Sequence, residues 1–316
     1  MHETQGDWLP ARAALHPTGL YFSLREIAAA ELQDAFMQET IARVGGGERV
    51  VQIDRADVGK AAPESAPAGL IFHVARCGST LVSQMLKQHG DIVVYAEPLP
   101  FNEILLPPHK WPRAELVFAL RSLGDAFARH AGKPYVLKFT SWNTFYCDLV
   151  ADAFPSSPWV LCIRDPVEVA VSLLNEPAGW LKGQEGVSNP FARLIDPEGN
   201  AKSAEERVAR LYGAFCEAAG RLDRARGRLL RYESLPAGVW DVVAPYFGLA
   251  MDEPRRRRMA DAAGRNSKAP LRAQAVFTSD VARKRAAAST PLLRAIDAVA
   301  RPRLARLETL FGDTTT

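Results

Sequence analysis

The sequence predicts an α/β fold in three layers, a central parallel sheet with helices on both faces. Three observations lead there. Five short strand candidates, Leu70–Val74, Ile92–Tyr95, Tyr135–Phe139, Trp159–Ile163 and Arg228–Arg231, alternate with helical stretches from residue 69 onward. Most of them are continuous apolar runs, the pattern of strands buried on both faces and joined by helical crossovers. With 316 residues, 47% hydrophobic and 24% charged, the chain can bury a substantial core and hold one large domain with an appendage.

Residues 1–66 read as an N-terminal appendage of unknown role. Helical periodicity runs from Leu24 to Val44 and stops at Gly45-Gly46-Gly47. A short strand is expected over Arg49–Asp54, and Gly59–Pro67 reads as a linker. Residues 67–316 then form the main domain. Its helices are expected at Thr80–Gln88, Arg113–Ala131, Thr144–Phe154, Val167–Leu174 and Glu205–Arg226. Asp165 suits an N-cap, Pro166 the first helical position, and Glu168 the reciprocal arm of a capping box. Ser203 and Glu206 repeat that box.

Composition narrows the function classes. A net charge of +3 does not by itself imply nucleic acid. The run Arg255–Arg258 lies in a helical segment, Glu253 to Ala263, and reads first as a solvated helix face; a nucleic-acid patch is the alternative. The four cysteines, Cys77, Cys147, Cys162 and Cys216, show no C-x-x-C spacing, which suits a reducing compartment. Met1 to Pro10 has no apolar h-region, and no apolar stretch reaches spanning length, so a soluble, cytoplasmic protein is expected. His73, His89 and His130 fall at strand or helix positions without metal-ligand spacing, so no protein-bound metal is expected.

Sheets of this kind bind ligands at the carboxyl ends of their strands. That rule selects Ala75–Thr80, Ala96–Pro98, Lys138–Trp142 and Arg164–Asp165. In the stretch 69–81 an apolar run ends in the turn Arg76-Cys77-Gly78-Ser79-Thr80, which opens an amphipathic helix. Free backbone N–H groups and the positive end of a helix dipole suit a phosphate there, with Arg76 as a fixed cation and the Ser79 and Thr80 hydroxyls beside it. The pattern G-x-x-x-x-G-K-[ST] is absent, which disfavours an ordinary ATP or GTP enzyme. Residues 159–174 repeat the strand–turn–helix logic. Arg164 ends the strand and Ser172 follows two helical turns on, so the two can hold one phosphate through charge-assisted bonds. The alternative is that Arg164 pairs with a neighbouring acid and Ser172 faces solvent. Asn175 to Lys202 is long and rich in Gly, Pro, Asn and Asp; it is expected to line an acceptor pocket, with Trp180 and Phe191 as apolar walls.

Together these two motifs resemble the sulfotransferase family. Arg76-Cys77-Gly78-Ser79-Thr80 is similar to its 5′-phosphosulfate loop, and Ile163-Arg164-Asp165-Pro166 through Ser172 is similar to its 3′-phosphate site. Ala96-Glu97-Pro98, Lys138, Phe154-Pro155 and Arg231-Tyr232-Glu233-Ser234-Leu235 follow in the matching order, so the resemblance spans roughly residues 69–235. Ala75 stands where a Pro is common and Cys77 where a Ser is; neither change removes a backbone donor.

The resemblance implies a P-loop sulfotransferase architecture over residues 67–316. It also implies transfer of a sulfuryl group from 3′-phosphoadenosine 5′-phosphosulfate to a hydroxyl or amine of a small-molecule or carbohydrate acceptor. Arg76 and the N–H groups from Gly78 to Thr80 would hold the 5′-phosphate, and Arg164 with Ser172 the 3′-phosphate. Lys138 would neutralise charge on the bridging oxygen. Glu97 is the candidate general base, with His109, in Pro107-Pro108-His109-Lys110, as the rival. Arg265 or Lys268, in the loop from Gly264 to Pro270, could close over the nucleotide; a linker there is equally open. Cys77 as a low-pKa thiol beside Arg76 is a lesser alternative. Two competing functions stand beside this one: an atypical P-loop small-molecule kinase, and a non-catalytic nucleotide-binding module of the same fold. The acceptor and the oligomeric state are not legible.

Overall fold

The computed structural model describes residues 7–53, 66–107, 111–181, 190–265 and 280–312. The chain opens with strands β1 (Trp8–His16) and β2 (Gly19–Glu26), helix α1 (Met37–Val44) and strand β3 (Glu48–Ile53). These strands form an antiparallel sheet in the order β1-β2-β3. The strand over Arg49–Asp54 is found, but the helix expected from Leu24 is not. Leu20, Phe22 and Leu24 alternate inward along β2 and pair on both edges, so strand pairing overrides the helical period up to Glu26. Only Met37–Val44 is α-helical, after a short 3₁₀ turn at Ala29–Glu31, and it ends at Gly45 as expected.

The main sheet follows with β4 (Gly69–His73), α2 (Ser79–Lys87), β5 (Val93–Ala96), α3 (Leu99–Leu105), α4 (Arg113–Ala131), β6 (Tyr135–Lys138), α5 (Cys147–Ala153), β7 (Trp159–Ile163), α6 (Pro166–Asn175), α7 (Ala204–Ala219) and β8 (Gly227–Arg231). Its five strands are parallel in the order β5-β6-β4-β7-β8, flanked by helices, so the expected fold class holds. Every residue of β4, β5, β6 and β7 is buried, which is why these strands read as unbroken apolar runs. The chain leaves β4 for β5 on one side and later crosses to β7 on the other, which places a crevice at the carboxyl end of β4.

Some boundaries differ from expectation. The segment expected as one helix over Thr144–Phe154 is a 3₁₀ stretch, Ser141–Tyr146, followed by α5. The helix expected to run to Arg226 stops at Ala219, before Gly220. Helices α8 (Glu253–Ala263), α9 (Val281–Ala286), α10 (Thr290–Ala295) and α11 (Arg301–Phe311) complete the chain. Of these only α8 was legible in advance. Its arginines make contacts within the chain: Arg255 pairs with Asp91 and Asp252, Arg256 with Asp241, Arg257 with Glu253, and Arg258 donates to the Gln88 and His89 carbonyls.

The first sheet is packed tightly onto the rest. β1 lies against α3 and α4, and Leu9, Phe22 and Met37 belong to the same buried cluster as Phe72 and Phe127. The Arg12 guanidinium pairs with Glu103, whose carboxylate also accepts from the Ala13 N–H at 2.7 Å. The Lys87 ammonium, on α2, donates to the Asp34 carbonyl. Most of the linker expected over Gly59–Pro67 lies outside the described residues. All four cysteines are buried and unpaired with one another. Among the described residues, no helix is long and apolar enough to cross a membrane.

Candidate active site

A cavity of about 620 Å³ opens at the carboxyl ends of β4, β5, β6 and β7, where the topology places it. The first corner is the turn between β4 and α2. Gly78 caps α2 at φ +86° without any side-chain cap, so the first helical turn keeps N–H donors that no cap oxygen has taken. A Cβ at Gly78 would sit 2.9 Å from the Tyr232 ring, so this position needs glycine both for its backbone angle and for space. Arg76 is left-handed at φ +60°, a strained conformation for a residue with a side chain. Its guanidinium pairs with the Glu176 carboxylate at 2.6 Å and donates to the Glu176 carbonyl at 2.7 Å, while its Nε is buried without a partner. Cys77 is buried, and desolvation pushes its thiol up to about 11, which removes the low-pKa thiol alternative.

The second corner is the turn between β7 and α6. Asp165 does cap this helix, accepting from the Val167 N–H at 2.8 Å and the Glu168 N–H at 3.3 Å, with Pro166 beginning the helix. Glu168 does not complete the expected capping box. Its buried carboxylate instead accepts from Arg164 Nε at 2.7 Å and from Arg285 Nε at 2.8 Å. Arg164, 5% exposed, also donates to Asp280 at 2.9 Å and stacks 3.9 Å above the Tyr232 ring. It therefore both pairs with acids and lines the cavity; Ser172 is also a cavity-lining residue. Burial alone would raise the Asp280 carboxyl, but Lys284 and Arg164 together hold it below its usual range. Tyr232 joins the two corners, one part of its ring against Gly78 and one face under Arg164.

Glu97 follows β5 and, among the described residues, is the other non-glycine residue with a left-handed backbone, at φ +54°. The register sets Ala96 beside Lys138, and the Glu97 N–H donates to the Lys138 carbonyl at 2.7 Å. The Lys138 ammonium accordingly meets the Glu97 carboxylate. Lys138 is 0% exposed and is not among the cavity walls, whereas the Glu97 side chain is 23% exposed and is one of them. The expected direct role of Lys138 on a bridging oxygen therefore does not match its placement; it reaches the site through Glu97. His73 lies 3.8 Å from the same carboxylate, with each ring nitrogen 3.0 Å from a carbonyl, Val74 or Phe139. Desolvation and the nearby Lys138 charge lower its pKa to about 4, so it is neutral near pH 7.

Trp180 lines the cavity and donates to Ser141 Oγ at 3.0 Å. Phe191 is buried behind it, its ring centroid 5.0 Å from that of Trp180, and supports the wall without forming it. Arg265 lines the cavity; His109 and Lys268 lie outside the described residues. Sequence reasoning missed Phe36, Tyr232 as a bridge, and Asp280, Arg283 and Lys284 around α9, all cavity-lining. The basic run Arg283-Lys284-Arg285 was the available signal for the last group. Among the described residues, no three His, Cys, Asp or Glu side chains are placed to share a metal ion.

No protein-family model matches the chain, and no curated protein matches it in sequence. Solved structures similar to it include a sulfotransferase from Mycobacterium avium, at 14% identity and TM-score 0.47, covering 82% of this chain and 79% of that one. A sulfotransferase from Alicyclobacillus acidocaldarius is 19% identical with TM-score 0.43, covering 78% of this chain and 95% of that one. The sulfotransferase domain from the curacin biosynthetic pathway is 14% identical with TM-score 0.46, covering 77% and 96%. These likenesses are distant, and the functional reading rests instead on the residues of the cavity.

Proposed function

We propose that residues 67–316 form a sulfotransferase that uses 3′-phosphoadenosine 5′-phosphosulfate, with Glu97 as general base toward a small-molecule or carbohydrate acceptor. The observation that carries this reading is that Arg76 and Arg164, from two corners far apart in sequence, line one cavity and are joined through Tyr232. A donor with phosphates at both ends would meet one arginine with each. The buried, unpartnered Nε of Arg76 supports an anion at the first corner. The exposed Glu176 carboxylate now on Arg76, and Asp280 on Arg164, are carboxylates standing where phosphate oxygens would bind.

Arg76 and the N–H groups that begin α2 would hold the 5′-phosphate and the charge that gathers on it as the leaving group. Arg164 and Ser172 would hold the 3′-phosphate and select this donor over ATP. Arg265 would close on the nucleotide. When bound, the donor supplies the sulfuryl group and departs as adenosine 3′,5′-bisphosphate. Glu97 would accept the proton of the attacking hydroxyl or amine, and Lys138 behind it would steady the carboxylate's position. Transfer of this kind asks the protein mainly for alignment and charge stabilisation.

Calorimetric titration with adenosine 3′,5′-bisphosphate against Mg-ATP tests the reading, with the bisphosphate expected to bind more tightly. Preference for Mg-ATP would point to a kinase and end the proposal. Glu97→Gln should lower kcat about 10²- to 10⁴-fold with the bisphosphate affinity unchanged.

A further inference from the structure

The cavity walls are divided by charge. Its cations arrive on the turn after β4, the corner after β7 and the segments beyond residue 260: Arg76, Arg164, Arg265, Arg283 and Lys284. Around Glu97 the walls are different in kind. Phe36 and Trp180 supply rings, Thr140 and Ser141 supply neutral hydroxyls, and the His73 imidazole stands 3.8 Å from the Glu97 carboxylate. The ammonium at this end, Lys138, is wholly buried and engaged by Glu97.

Phe36 comes from the N-terminal region, and four contacts fix it there. The Asp34 carbonyl accepts from Lys87 on α2. The Asp34 carboxylate accepts from Thr40 at 2.8 Å and Arg43 at 2.9 Å. The Phe36 N–H donates to Glu39 at 3.2 Å. Its ring centroid stands 5.4 Å from Lys138 Nζ, whose partner is the Glu97 carboxylate. Trp180 is fixed to the same end through Ser141, one residue after Thr140 and three after Lys138. The N-terminal region thus places an aromatic side chain close to the group assigned as base.

Resting on the sulfotransferase reading, we propose that Phe36 is a specificity-determining wall of the acceptor site. With Trp180 it selects an uncharged hydroxyl compound with a flat apolar body, such as a phenol, over anionic glycans and acidic peptides. Two physical effects act together. Ring walls favour apolar surface removed from water. Among the described residues, the ammonium that faces the Glu97 carboxylate, Lys138, is already engaged by it, so a second negative charge brought there would meet little offsetting charge.

The test uses 2-naphthol as neutral probe, 6-hydroxy-2-naphthoate as its carboxylated counterpart, and chondroitin as a polyanion. Sulfuryl transfer and calorimetric binding to the bisphosphate-saturated protein are both measured. The wild type should favour 2-naphthol over 6-hydroxy-2-naphthoate by at least about tenfold in kcat/KM. Phe36→Ala should raise KM for 2-naphthol about tenfold, and Phe36→Tyr should recover most of it, with bisphosphate affinity unchanged in both. Preference for either anionic probe, no binding of 2-naphthol to the saturated protein, or an unchanged KM in Phe36→Ala would overturn the inference. The wild-type selectivity decides the matter even if a Phe36 variant folds poorly. Failure of the wild type to bind the bisphosphate is a separate result: it ends the sulfotransferase reading, and this inference falls with it.

Discussion

The corner after β4 and the corner after β7 face one cavity but offer an anion different things. At the first, Gly78 leaves α2 without a side-chain cap, and backbone N–H groups remain available beside Arg76. At the second, Asp165 accepts from the Val167 and Glu168 N–H groups of α6, so under the proposed reading anion binding would fall to the side chains of Arg164 and Ser172. The first corner is a property of the backbone, tolerant of side-chain change and intolerant of a Cβ at Gly78. The second is a property of side chains, held by Glu168, Asp280 and Tyr232.

The sharpest way to break this contrast is to truncate each arginine. Arg164→Ala should weaken adenosine 3′,5′-bisphosphate about 100-fold by calorimetry, and Arg76→Ala only about tenfold, because backbone donors survive the second change. The reverse order would refute the distinction.

Acid should act on the scaffold of the first corner. Burial, aided by Lys138, holds His73 at about 4 when folded, against an ordinary value of 6.5. Between those values the unfolded chain binds more protons, so this stability contribution is full above about pH 6.5 and is lost as pH falls. Its effect between pH 7 and pH 5 is roughly 2 kcal/mol. Urea unfolding at both pH values should show it, and His73→Gln should flatten the dependence; an equal slope in that variant would contradict the assignment.

Gly78→Ala should cost about 1–2 kcal/mol from the left-handed backbone and the clash with Tyr232. In the double variant with Tyr232→Ala, the steric share should return and the backbone share should not. The smallest effect is expected from Glu176→Gln and Asp280→Asn. Each should tighten bisphosphate binding about two- to fivefold by removing a competing carboxylate, in keeping with the modest worth of partly exposed ion pairs. Weaker binding in either would show that the carboxylate helps hold the arginine in place.

The main sheet was legible because β4 to β7 are buried on both faces, and apolar runs with helices between them admit few other readings. Both corners were legible for a similar reason: each is a local motif, a strand end with an arginine followed by a helix start. What escaped depends on distant partners. β2 alternates like a strand, but its apolar residues run on into α1, and only pairing with β1 and β3 settles its conformation. Lys138 reads as a strand-end cation; the register that sets it beside Ala96 turns it onto Glu97. Phe36 has no local mark of function, since Lys138 and Glu97 are far along the chain. Asp280 precedes, and Lys284 lies in, a short polar helix that carries no local mark of function; only the Arg164–Asp280 pair ties it to the second corner.

The left-handed backbones of Arg76 and Glu97 have a consequence for the history and engineering of this chain. Glycine at Arg76 would relieve on the order of 1 kcal/mol of strain while deleting a side chain that the proposed chemistry uses, whereas at Glu97 the same relief would leave the wholly buried Lys138 ammonium without its carboxylate, a larger cost. A selection for heat resistance alone would therefore favour mutants at Arg76 that fold better and have lost their trade, but would retain Glu97. Consensus or thermostability libraries built on this fold should hold both positions constant.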